Sequence, residues 1–69
     1  MIDELDVVAL LVDRPDLKLA KGSVGAVVSR HGEGEAFEVE FVDPDGYTYG
    51  LGTFRADDLL KLHHRAEAA

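Results

Sequence analysis

The sequence predicts an all-β domain, a small five-stranded SH3-like barrel with one helical turn before its last strand, and three observations predict it. Lys21-Gly22-Ser23-Val24-Gly25 precedes Ala26-Val27-Val28, so two glycines three positions apart mark a tight backbone corner entering a β-branched run. Phe37, Val39 and Phe41 alternate with Glu38 and Glu40, the period of a half-buried strand. Asp43-Pro44-Asp45-Gly46 supplies a chain reversal, because proline presets the first corner residue and glycine accepts a left-handed one.

Each element follows from local residue chemistry. Asp6 to Val12 is a short apolar run with β-branched members, ended by Asp13-Arg14-Pro15-Asp16, and reads as the first strand. Both of its faces are apolar; Val8 and Leu10 are assigned inward and Val7, Ala9 and Leu11 outward, the outward set being the kind of surface that a dimer or a partner covers. Leu17-Lys18-Leu19-Ala20 reads as an irregular loop whose leucines plug the barrel mouth. Gly25 to Arg30 forms the second strand, and His31-Gly32-Glu33-Gly34 reverses the chain as a hairpin. Ala36 to Val42 is the third strand. Tyr47 to Phe54 is the fourth, with Gly50 and Gly52 admitting a bulge or the close approach of a neighbour. Arg55-Ala56-Asp57-Asp58 forms one helical turn, in which Asp57 and Asp58 are expected to accept local backbone N–H groups. Leu59 to Leu62 closes against the first strand. Residues 1–63 form one barrel domain, and 64–69 read as a frayed tail. An OB-type barrel needs longer strands and a helix for which the Asp43–Gly46 turn leaves no space.

Composition limits the partners. Seven basic residues stand against fourteen acidic ones in 69 residues, a formal charge of −7. That balance repels phosphate backbones and anionic membrane surfaces, so neither nucleic acid nor a membrane is expected as a partner, and a basic protein is favoured. Cysteine is absent, which removes disulfides and thiolate metal sites and points to a reducing, cytoplasmic setting. No apolar run approaches the roughly 20 residues of a membrane-spanning helix, and Met1-Ile2-Asp3-Glu4 is acidic where a secretion signal is basic.

Chemistry-bearing patterns are few. His63-His64 is the one adjacent pair of nitrogen ligands, but neighbours on a strand point to opposite faces, and no metal site or cofactor is expected. Gly32-Glu33-Gly34 lacks the lysine and the following helix of a phosphate loop. Ser23, Ser29, Thr48 and Thr53 have no base and oxyanion donors placed beside them in sequence, and neither Asp57-Asp58 nor Glu38/Glu40 has the setting of a buried general acid. No catalytic residue is assigned. The candidate partner-binding residues are Tyr47 and Tyr49, two apart and so on one face of an extended strand, with Glu38, Glu40 and Asp45 as the acids beside them. The tyrosines alternatively form a lid over the Phe37, Phe41 and Phe54 core.

Asp6-Val7-Val8-Ala9-Leu10, Lys21-Gly22-Ser23-Val24-Gly25, Phe37-Glu38-Val39-Glu40-Phe41 with Asp45-Gly46, and Ala56-Asp57-Asp58-Leu59 together resemble domain-of-unknown-function family 4926, a family of short bacterial proteins. The resemblance runs from about Leu5 to His63. It implies an SH3-like barrel with an accessory or interaction role and carries no established activity. The glycine corner and the strand after it are also similar to the barrel of nitrile hydratase β subunits and to the KOW element. The first resemblance implies an accessory subunit or maturation partner of a larger enzyme. The second implies RNA contact through Lys21 and Arg30, from which the acidic balance departs. The expected function is thus a non-catalytic, acidic protein-interaction module, antitoxin-like or immunity-like, that masks a basic surface; homodimerisation is compatible with it.

Overall fold

Five antiparallel strands form a single sheet: β1 (Val7–Leu10), β2 (Val24–His31), β3 (Ala36–Val42), β4 (Thr48–Phe54) and β5 (Leu59–Leu62). Their order is β4-β3-β2-β1-β5, so a three-strand meander is extended by β1, and β5 returns from the far end of the chain to pair with it. This is the all-β, SH3-like arrangement that the sequence predicts. The structure is a computed structural model and describes residues 2–43 and 45–62. The tail assigned to 64–69 and the His63-His64 pair lie outside the described residues.

The alternation in Ala36–Val42 translates directly into burial. Phe37, Val39 and Phe41 are buried, whereas Glu38 and Glu40 lie on the opposite face. Val8 and Leu10 point inward from β1, and Val27, Phe54, Leu59 and Leu19 complete the core. Phe41 and Phe54 meet edge to face at 5.8 Å between ring centres, the geometry that sets a positive ring edge on a negative ring face. Burial of side chains of this size contributes roughly 1.5–3 kcal/mol each, and no polar or charged side chain among the described residues is buried with them.

The glycine corner does two different jobs. Ser23 N–H donates to Ala20 O at 3.0 Å across a turn in which Gly22 has φ +94°, a left-handed value that strains any residue with a Cβ. Gly25 instead provides room: a Cβ there would stand 2.7 Å from both Glu40 O and Phe41 Cδ1, so the Phe41 ring lies directly on its backbone.

β1 is shorter than the Asp6–Val12 run suggests. The strand ends at Leu10, although Leu11 N–H still donates to Asp58 O at 2.9 Å, the next step of the β1–β5 register. The following loop is more regular than expected. Arg14 and Leu19 exchange backbone hydrogen bonds of 2.8 and 3.0 Å around a 3-10 turn at Pro15–Leu17. This small hairpin carries Leu19 into the core and packs the half-buried Leu17 against it. The glycines of β4 make the docking possible, since a Cβ at Gly50 would lie 3.0 Å from Leu19 Cδ2 and one at Gly52 2.5 Å from Leu17 Cδ1. Arg14 fastens the loop by donating from Nη1 to Thr53 O at 3.3 Å, with its guanidinium 5.0 Å from the Phe54 ring centre and paired through two 3.0 Å bonds with Asp16.

The turn before β5 is a 3-10 turn at Ala56–Asp58, but no side chain caps it. The expectation for Asp57 and Asp58 is therefore corrected: Arg55 occupies the cap position, and Asp58 N–H is satisfied by Arg55 O at 2.9 Å. With the backbone donor met by a backbone carbonyl, the carboxylates are left at the surface.

Asp6 ties the segment before β1 to the sheet. Its Oδ2 accepts the Asp3 N–H at 2.7 Å and lies 3.3 Å from Lys61 Nζ on β5. The Asp3 N–H, chiefly, and Lys61 hold the carboxyl below its ordinary value. A carboxylate with a lowered folded-state pKa stabilises the fold above its unfolded value, about 3.9, and that contribution is lost as pH falls through the folded value. The thermal midpoint of the protein should therefore drop more steeply below about pH 4 than that of Asp6→Asn, which should itself be the less stable at neutral pH. Parallel melting curves for the two proteins would discredit the role given to Asp6.

Candidate functional site: the outer sheet face

On the outward side of β3, Glu38 and Glu40 stand beside hydroxyls of β4. Thr53 Oγ1 donates to Glu38 Oε1 at 3.0 Å, and Thr48 Oγ1 donates to Glu40 Oε2 at 3.2 Å. His31 Nε2 lies 3.4 Å from the same Glu38 oxygen. These bonds hold two carboxylates in a fixed row without neutralising Glu40 through a cation.

The tyrosines are placed differently. Between Phe41 and Val42 the β3–β4 pairing passes from Gly50 to Thr48, so Tyr49 is the extra residue of a bulge. The bulge interrupts the ladder between Gly50 and Thr48. Tyr49 tilts towards Phe41 at 6.4 Å between ring centres and stays 51% exposed; Tyr47, 72% exposed, stands at the turn. Thr48 between them points to Glu40 on the other side of the strand. Asp43 organises the turn: its Oδ1 accepts the N–H groups of Asp45 and Tyr47 at 2.9 and 3.0 Å, and Gly46 adopts φ +89°. Asp45 is exposed at the tip. Glu38 and Glu40 thus share a face, while the tyrosines and Asp45 gather at the β3–β4 end.

Sequence reasoning assigns an apolar outer face to the first strand alone, and the structure shows a wider one. Val7 pairs with Leu62 and Ala26, Ala26 with Glu40, and Glu40 with Leu51, so one cross-strand row runs over all five strands as four aliphatic side chains and a single carboxylate. In the next row Ala9 joins Leu60 to Val24. Val7, Val24, Gly25, Ala26, Val42 and Asp43 line a shallow, almost wholly apolar recess there. Val24, Val42, Leu51 and Leu60 are each half-exposed. The available signal was the lack of polar residues between the inward positions of β2 and β5.

A second hollow, lined by Gly34, Glu35, Arg55, Ala56 and Asp57, is polar and open. Among the described residues no group of three or more histidine, aspartate or glutamate side chains is placed to hold a metal ion, and no helix is long and apolar enough to cross a membrane.

No curated protein and no solved structure gives a significant match to the chain. The family described as Domain of unknown function (DUF4926) matches residues 4–61, from the segment before β1 to the third residue of β5, and so reaches all five strands. The protein belongs to the DUF4926 family.

Proposed function

We propose that this protein is a non-catalytic interaction module that binds a basic protein, in the manner of an antitoxin or immunity protein masking a cationic surface. The observation that carries the reading is the charge distribution. Every buried residue among those described is apolar, so the excess of carboxylates behind the −7 charge is displayed at the surface. Arg14, Arg30 and Lys61 engage Asp16, Asp3 and Asp6, while Glu40 is met by a neutral hydroxyl. Such a surface accelerates encounter with cationic proteins and discourages contact with anionic ones.

The test is retention from extracts of the native source on immobilised protein. A basic protein held at low salt, released by high salt, and held several-fold less well by Glu38→Gln/Glu40→Gln is expected. Recovery of nothing but the chain itself, or of a partner indifferent to both salt and the double substitution, would refute the proposal.

A further inference from the structure

We infer that the docking surface is the aliphatic outer face centred on the Val7–Val24–Val42 recess, and that its occupant is a protein segment with an aliphatic centre flanked by arginine or lysine. This inference rests on the proposed function and specifies where and how the basic partner is gripped. The strand register brings residues from separate parts of the chain together here: Leu62 and Val7, Ala26, Glu40 and Leu51 in one row, with Val24 and Leu60 in the next. An apolar surface shared by several neighbouring strands differs from scattered exposed aliphatics, which need no explanation.

Charge decides the occupant. Glu40 interrupts the row, Asp43 borders the recess, and among the described residues no lysine or arginine lines it. A second copy docking through the same face would bring two sets of these carboxylates into a contact that excludes water and whose described lining offers them no cation, because a two-fold interface sets a surface against itself. A segment carrying aliphatic side chains satisfies the recess, and flanking guanidinium or ammonium groups satisfy Glu40 and Asp43 with charge-assisted hydrogen bonds. The Tyr47/Tyr49 end then serves as rim or takes no part.

The experiment uses the whole protein and three synthetic nine-residue peptides. The first has leucine and valine at its centre and two arginines at each end; the second replaces the aliphatic residues by serine; the third replaces the arginines by glutamate. Binding is followed by amide chemical-shift mapping. The first peptide should move the amides of Val7, Val24, Ala26, Val42 and Leu60, and bind roughly tenfold or more tightly than either control. Val24→Ser and Leu60→Ser change exposed positions and should each weaken it about five-fold or more with the spectrum of a folded protein retained.

Equal binding of the serine peptide would show charge attraction alone and overturn the inference, as would shifts confined to Tyr47, Tyr49 and Asp45, or no binding at all. Sedimentation as a dimer that Val24→Ser dissociates would assign the face to a second copy and likewise overturn it. Shifts at the tyrosine end together with a retained basic partner would leave the proposed function standing while this inference falls. Shifts on the recess without any basic partner from the native source would do the reverse.

Discussion

Phe41→Ala should leave the protein largely unfolded at room temperature. Truncating a buried phenylalanine costs about 3–5 kcal/mol through lost transfer energy and the cavity left behind. At about 0.05–0.15 kcal/mol per residue, the net stability of a 69-residue chain is roughly 3–10 kcal/mol. Phe41 is the worst place for such a loss. Its ring lies on the Gly25 backbone, meets Phe54 edge to face and supports Tyr49, so no neighbour can move in without abandoning another contact. Urea titration followed by circular dichroism measures the effect. The adjacent Val42→Ala, at a half-exposed position, should cost well under 2 kcal/mol. If the two variants unfold at the same urea concentration, the core has been wrongly assigned.

Gly25→Ala should be nearly as damaging although it adds a single methyl group. Both of the atoms that the new Cβ would meet at 2.7 Å are hard to displace. Glu40 O belongs to the backbone of the central ladder, and Phe41 Cδ1 belongs to the core's most enclosed ring. Overpacking of a filled site costs typically 1–3 kcal/mol, and a fixed carbonyl puts this case at the upper end. The same substitution in a Phe41→Leu background separates the two contacts. The added loss should shrink there without vanishing, because the carbonyl remains. An undiminished loss would show that the ring is not what limits the site.

These two positions also mark how far the sequence is readable. Strand β3 was legible residue by residue, because alternating phenylalanine, valine and glutamate leaves one arrangement that buries the apolar side. The glycine corner was legible as a corner. Its division of labour, with Gly22 supplying a left-handed turn and Gly25 supplying clearance, depends on Phe41, sixteen positions further on, and is invisible locally. The early end of β1 has no local mark, since the apolar run continues through Leu11 and Val12. The outward direction of Glu38 and Glu40 followed from periodicity. The bulge at Tyr49 was not legible, because it shows only in the pairing of β4 with β3. The wider aliphatic face is hidden in the sequence for a related reason: Val24, Val42 and Leu60 come from three different strands, and only the register makes them neighbours.

The strand order also fixes a sequence of events during folding. β2, β3 and β4 are joined by short turns and can zip together from local encounters, whereas β1 must find β5 across nearly the whole described chain. Until Val7 meets Leu62, the ladder edge of β1 and the inner face of Val8 and Leu10 lack their cover. The nascent chain is thus most vulnerable to sticking to its fellows at the moment when only its closing strand is missing, and Lys61, a charge set within that strand, is a natural guard against such association.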